Sequence, residues 1–294
     1  MSAQAKITLA TLRAMKREGH KFSVLTCYDC TMARLIEGAG VESILVGDTY
    51  AEVCLGHPTT LPATMDQMIT ITQAVRRGAP NVYLIGDMPY LSYQVNVEEA
   101  IRNAGRFMSE GGCDAVKIEV DARLARTVEA MSAASIPIVA HLGLRPQSIH
   151  VHGGYRVQGR DVRDARRLMI EAAMMERAGA VMLLLEAVPL ELAERIAAHT
   201  ELPVIGCVSG SRTDAQVVVL HDVLGLGAGH PPRSVKRYAE LNEACSAAFR
   251  AYAADVRAGR FPIDALTASL GDEALSGLDA AAPDAEVVAS NQGA

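Results

Sequence analysis

Val116-Lys117-Ile118-Glu119, VKIE, sits in an apolar frame, DAVKIEV, and reads as a β-strand, yet it carries a lysine and a glutamate two positions apart. Side chains alternate along a strand, so Lys117 and Glu119 point to one side. That side is either in water or a functional interior. If the strand belongs to a closed barrel, its inward side is packed, and two charges there need a chemical reason.

Seven more short apolar runs have the same form. They are FSVLTCYD from Phe22, ESILVGD from Glu42, VYLIGDMP from Val82, IPIVAHLGL from Ile136, AVMLLLEAVP from Ala180, LPVIGCVSG from Leu202 and VVVLHDVLG from Val217. Helical patterns such as TMARLIEGAG, VEEAIRNAGRFMSEGG and RDARRLMIEAAMMERAGA lie between them. Strands alternating with helices imply a parallel sheet. Near-continuous Val, Ile and Leu runs are those of strands covered by helices. Eight such units predict an α/β fold of the (β/α)₈ TIM-barrel type. An open doubly wound sheet is the alternative, but no glycine-rich dinucleotide turn follows the first strand.

The predicted domain covers residues 1–263 and begins with a short amphipathic helix in MSAQAKITLATLRAMKREGH. Residues 264–294 form an acidic, Ala-rich tail with few large apolar side chains, expected to be largely disordered, with a docked helix around Ala265–Leu270 as the alternative. Six acidic residues and no Lys or Arg lie from Asp264 onward, so the net charge of −6 resides in the tail and residues 1–263 are neutral. No basic stripe suits a nucleic-acid partner. The start has no apolar run of signal or membrane-span length, which predicts a cytoplasmic chain without a membrane partner. The six cysteines are scattered through apolar sequence and read as buried free thiols. Cys27 and Cys30 form a CxxC without a second pair at zinc spacing.

In a barrel of this kind the active site lies at the C-terminal ends of the strands. Asp48, Asp87, Glu119 and Glu186 close four of the runs, His141 ends IPIVAH, and His221 and Asp222 end VVVLHD. An acid after a strand is often the N-cap of the next helix. Several acids at successive strand ends converge on one mouth. Asp48, Asp87 and Glu119 offer oxygen only, which suits a hard divalent cation such as Mg²⁺. Without a cation they would raise one another's pKa, so a metal, Lys117 or both are expected among them. His150 and His152 in IHVHGGY look like a metal pair but lie in a predicted loop, as do His57 and His230. His20 and His199 read as surface residues, and Met174 and Met175 as helix packing.

LTCYD, LVGD, GHPTTLPATMDQM, VRRGAPN, VKIE, HLGLRPQS, GGYRVQGR, LLLEAVP and LHD together resemble the ketopantoate hydroxymethyltransferase family, from about Lys21 to Pro262. The resemblance implies a (β/α)₈ barrel of the phosphoenolpyruvate mutase/isocitrate lyase type that assembles as a homo-oligomer, often a decamer. It implies transfer of a hydroxymethyl group from 5,10-methylenetetrahydrofolate to the 2-oxo acid 3-methyl-2-oxobutanoate, with Mg²⁺, in pantothenate synthesis. The family's metal carboxylates fall on Asp48, Asp87 and Glu119. Its substrate contacts fall on Asp48, Thr49, Asp87 and Lys117, with Thr49 in place of a serine. Its catalytic acid–base falls on Glu186 and an active-site histidine on His141.

Two segments differ from the family pattern. TYAEVCLGH stands where LGMTVQGH usually follows the serine, and VIGCVSG stands for VIGIGAG. Both are expected at the barrel mouth, where bulkier residues in place of glycine close space and restrict the backbone. They motivate an alternative function, a Mg²⁺-dependent aldolase or lyase acting on another 2-oxo acid without folate. A silent scaffold barrel is a third reading, opposed by the charges kept at the mouth.

Overall fold

The computed structural model describes residues 5–227 and 232–280. Eight strands close into a parallel barrel in chain order. They are β1 (Phe22–Thr26), β2 (Ser43–Val46), β3 (Tyr83–Asp87), β4 (Ala115–Glu119), β5 (Ile138–Gly143), β6 (Met182–Glu186), β7 (Val204–Cys207) and β8 (Ala215–Val218), with β8 paired back onto β1. Around them run α1 (Leu9–Arg17), α2 (Cys30–Gly38), α3 (Tyr50–Val53), α4 (Met65–Gly78), α5 (Val97–Ser109), α6 (Ala125–Ala133), α7 (Ile149–His152), α8 (Val162–Arg177), α9 (Leu190–Ala198) and α10 (Leu220–Leu224).

Strand alternation sorts the side chains into two cores. Ala115 of β4 joins Phe22, Val24, Tyr83, Ile85, Val139 and Leu184 in the barrel interior. Val116 and Ile118 join the layer between sheet and helices. Lys117 and Glu119 therefore point inward, above that apolar plug, at the C-terminal end of β4. The register sets Asp87 beside Lys117 and Glu119 beside His141. The predicted first helix is α1, capped by Thr8, whose side chain accepts from Thr11 N. Its Leu12 is fully buried in the interior core.

Two details depart from the sequence expectations. The last strand starts at Ala215, and the LHD that reads as its end lies on α10, whose first N–H is taken by Thr26 Oγ1. The stretch with His150 and His152 is one helical turn, closed by Gly153 at φ 66°. The chain divides into compact units spanning Met1–Glu240 and Leu241–Ala294. The second unit contains α11 (Leu241–Arg257), which has no buried residue. Within the predicted tail, α12 (Asp272–Ala280) is helical, with Asp272 and Glu273 in its first turn. Acids there suit the helix dipole. Only a 3₁₀ turn, Asp264–Leu266, forms near the proposed Ala265–Leu270 helix. Residues 281–294 of the tail lie outside the described residues.

Candidate active site

The mouth of the barrel gathers five ionisable side chains that are almost fully buried: Asp48 (3% exposed), Asp87 (2%), Lys117 (4%), Glu119 (4%) and His141 (1%). Charges this deep persist only when paired and hydrogen-bonded. Lys117 Nζ donates to Asp87 Oδ1 at 2.6 Å. Asp87 Oδ2 accepts from the Asp48 backbone N–H at 3.1 Å. The N-cap alternative thus describes other acids: Asp29 caps α2, Asp121 the 3₁₀ turn Ala122–Leu124, and Asp161 α8.

Gln147 ties the cluster together, and its role was not legible in the sequence. Its Nε2 donates to Asp48 Oδ2 at 2.9 Å and to Met88 O at 3.0 Å. Its backbone N–H donates to both oxygens of Glu119, at 3.2 and 3.1 Å. Its Oε1 accepts from Tyr93 Oη at 2.7 Å and from Gln94 Nε2 at 3.0 Å. Tyr93 Oη in turn accepts from the Glu119 N–H at 3.0 Å. Pro146 begins the 3₁₀ turn Pro146–Ser148 that carries Gln147 inward after β5. The one available signal was a polar residue in HLGLRPQS, just past a strand end.

Three carboxylates and one ammonium leave the cluster at −2 when all are ionised. Burial, with the Asp87 charge, pushes the Asp48 carboxyl up to about 8, against the pull of Lys117 and Gln147. Burial also lifts Glu119 well above the carboxylate range; Lys117 opposes this, and Asp48 and Asp87 add to it. Burial alone would lower Lys117, but the charges of Asp87, Asp48 and Glu119 outweigh it and keep the ammonium protonated. Among the described residues, no three His, Cys, Asp or Glu side chains stand in ready-made metal geometry, and Lys117 and Gln147 engage carboxylate oxygens of the cluster. The donor set nevertheless fits a hard divalent cation. It is all oxygen, its charge is the inverse of the ion's, and such an ion relieves the repulsion that raises Asp48.

His141 and Glu186 form the second half of the mouth. His141 Nε2 lies 3.3 Å from Glu186 Oε2, and Nδ1 lies 4.0 Å from Glu119 Oε1. Neither ring nitrogen makes a hydrogen bond of good geometry. Burial and the Lys117 charge lower the imidazole pKa, against the pull of Glu186. Glu186 is the more open partner, with its side chain 20% exposed. Gly143, at φ +94°, lets β5 and β6 meet here, because a Cβ would collide with the Glu186 carbonyl. Thr49 Oγ1 shares a hydrogen bond with Tyr28 Oη at 2.7 Å and starts α3. Tyr155, in GGYRVQGR, donates to Glu52 of the altered TYAEV segment at 3.0 Å.

The remaining sequence candidates stay apart from this cluster. All six cysteines are free, but only Cys27 and Cys113 are buried; Cys54 is exposed and the others are partly covered. Burial pushes the Cys27 thiol up to about 11. His20, His57 and His199 are exposed, and the His221 ring packs at 5.8 Å from that of Tyr28. His230 lies outside the described residues. Met175 is buried and Met174 packs on the same core. Among the described residues, no helix is long and apolar enough to cross a membrane.

Comparison with known proteins supplies the context for this geometry. The family model described as ketopantoate hydroxymethyltransferase matches residues 6–264. The 3-methyl-2-oxobutanoate hydroxymethyltransferase of Geobacillus sp. (strain WCH70) is 47% identical over 248 residues, 84% of this chain and 89% of that protein. The enzyme of that name from Koribacter versatilis (strain Ellin345) is 44% identical over 276 residues, 94% of each chain. In fold, the chain is similar to a phosphoenolpyruvate phosphomutase from Streptomyces platensis subsp. rosaceus, with a TM-score of 0.60, 16% identity, and 93% and 96% of the two chains covered. It is also similar to 2,3-dimethylmalate lyase, a PEP mutase/isocitrate lyase superfamily member, with a TM-score of 0.56, 18% identity, and 94% and 99% covered.

Proposed function

The chain belongs to the ketopantoate hydroxymethyltransferase family, and from that premise we propose that it transfers a hydroxymethyl group from 5,10-methylenetetrahydrofolate to C3 of 3-methyl-2-oxobutanoate, giving 2-dehydropantoate. The observation that carries the proposal is the buried cluster of Asp48, Asp87, Glu119 and Lys117, with the His141–Glu186 pair beside it. The bond changes balance with one water. C3 loses a proton, both C–N bonds of the donor methylene break, its carbon joins C3, and water supplies the new hydroxyl oxygen. The C3 proton and the two water protons end on the two donor nitrogens and the product hydroxyl.

Asp48, Asp87 and Glu119 would hold Mg²⁺, which supplies Lewis-acid stabilisation for the negative charge that proton loss places on the keto oxygen. Lys117 adds a fixed positive charge within the same dry pocket, where electrostatic help costs no reorganisation. Its ammonium and Thr49 Oγ1 face the oxo acid as binding groups. Glu186, the more exposed carboxylate, is the proton-transfer group, a role that typically contributes ~10²–10⁴-fold. His141 stands beside it, with Nε2 3.3 Å from Oε2. Gln147 and Tyr93 hold Asp48 and Glu119 in place without touching substrate. The resemblance also carries a homo-oligomeric assembly and a cytoplasmic setting into the proposal.

The test is product formation. Purified protein with Mg²⁺, 3-methyl-2-oxobutanoate and 5,10-methylenetetrahydrofolate should yield 2-dehydropantoate, and Glu186→Gln should bind the oxo acid yet lose at least ~10²-fold in kcat. Unchanged kcat would remove Glu186 from the reaction. Turnover of a different 2-oxo acid without folate would replace the transferase with the aldolase or lyase alternative. The lyase and hydrolase structures it is similar to share only 14–18% identity, a likeness of fold, whereas the curated relatives at 44–47% carry the transferase name.

A further inference from the structure

A cavity of about 560 Å³ lies at the C-terminal ends of β7 and β8. Of the ionisable groups gathered at the barrel mouth, Glu186 alone also lines it. Its walls are largely apolar, from Val208, Val219, Val223 and Tyr238, and Asp222 places a carboxylate in them. No hydrogen-bond or ion-pair partner engages that carboxylate among the described residues, and His221 and Arg237 act on it only at longer range. The size falls in the ~300–1,000 Å³ range of small-molecule sites, and apolar walls with a few fixed polar groups are their usual make-up.

We infer that this cavity binds the reduced pterin of the one-carbon donor, with Asp222 accepting from the donor edge of its pyrimidine ring. The inference rests on the proposed function and gives the second substrate a place. A reduced pterin presents an N–H and an amino group side by side, a pattern that a carboxylate matches with two parallel, charge-assisted hydrogen bonds. The flat bicycle suits the Val219–Val223 and Tyr238 walls. Lys236, exposed at the rim with its ammonium 4.9 Å from the Tyr238 ring centroid, offers a cation where an anionic tail would emerge.

The backbone around the cavity gives an independent reason. Val208 holds φ 51° and Ala187, directly after Glu186, holds φ 47°. The Ala187 N–H donates to the Cys207 carbonyl at 2.9 Å. A β-branched residue in the left-handed region is strained, and strain of this kind gathers at ligand clamps. Glu186 sits on the boundary between this cavity and the carboxylate cluster. Two substrates, one on each side, would meet at the group that moves the proton.

The experiment is anaerobic calorimetric titration of wild type and Asp222→Asn with tetrahydrofolate, alongside titration with 3-methyl-2-oxobutanoate and Mg²⁺. At least tenfold weaker tetrahydrofolate binding by Asp222→Asn, with oxo acid affinity kept, is expected. Equal tetrahydrofolate affinity in the two proteins overturns the placement while leaving the transferase reading intact. A wild type that binds the oxo acid but no tetrahydrofolate overturns both the placement and the folate half of the proposed function. Should Asp222→Asn fail to fold, Lys236→Glu replaces it, titrated with triglutamyl tetrahydrofolate: a tenfold loss supports the site, and unchanged affinity overturns it.

Discussion

Replacing Lys117 with methionine removes the one cation from a cluster of three buried carboxylates and takes its charge from −2 to −3. Lys117 and Asp87 are 5% and 2% exposed at the side chain, so solvent screens their pairing weakly. Breaking a buried pair from one side costs about 3–5 kcal/mol. For a domain of this size each kcal/mol moves Tm by about 2–4 °C, so the metal-free variant should melt roughly 10 °C below wild type. Its pH response has a definite sign. Asp48, pushed up to about 8 by burial, loses its favourable Lys117 neighbour and rises further. A folded pKa above the unfolded value means that the folded state binds more protons, so the variant regains stability as pH falls from 8 toward 5. Magnesium ion should rescue it as well, since an ion at about 100 times its Kd stabilises the folded state by about 2.7 kcal/mol. Thermal denaturation followed by circular dichroism, in EDTA and in Mg²⁺ at pH 6 and pH 8, reads all three effects. A metal-free variant that melts within 2 °C of wild type at pH 8, with no pH response, would refute the coupling of these four charges.

Gln147→Met keeps the chain's shape but strands Asp48 Oδ2, Met88 O and Tyr93 Oη. Groups that support metal ligands typically contribute ~10–100-fold, so Mg²⁺ affinity measured by calorimetry should fall by that factor; wild-type affinity would end its supporting role. Val208→Gly relieves a left-handed cost of about 1–2 kcal/mol but favours the unfolded chain entropically by about 0.5–1 kcal/mol, so urea denaturation should show a gain between zero and about 1.5 kcal/mol. A loss of more than 1 kcal/mol would show that the side chain packs more than its half-exposed position suggests. Burial pulls the Asp121 carboxyl up, yet Arg123 and Arg145 hold it well below the usual range. That stability is present above the unfolded pKa of about 4 and is lost as pH falls below it. Asp121→Asn should therefore cost about 1–2 kcal/mol at pH 7 and flatten the acid limb of the stability curve, and an unchanged acid limb would contradict the pairing.

Much of the site was legible because strand geometry makes it so. Lys117 and Glu119 share a face by alternation, and an apolar run ending in an acid marks Asp48, Asp87 and Glu186 as mouth residues. Sequence alone could not separate these acids from Asp29 and Asp121, which have the same local look and cap helical turns. Only the pairing of β3 with β4 brings Asp87 against Lys117, thirty positions away in the chain. Gln147 was illegible for the same reason: it is uncharged, it follows a loop proline, and its partner Asp48 is 99 residues distant. His221 and Asp222 read as the end of a strand because Val217–Leu220 is a continuous apolar run, but Thr26 captures the next N–H and starts α10. The helix in the tail was missed because Ala, Glu and Leu there favour a helix while residues 272–278 stay exposed.

The central claim is that the Asp48–Asp87–Lys117–Glu119 cluster makes C3 of 3-methyl-2-oxobutanoate acidic enough to lose its proton. Proton NMR of the oxo acid in D₂O with catalytic protein tests it directly, without folate. With Mg²⁺ present, the C3–H signal should disappear and the methyl doublet should collapse, while Glu119→Gln and EDTA controls should leave both intact. Retention of the C3–H signal by wild type with saturating Mg²⁺ and oxo acid would contradict the claim.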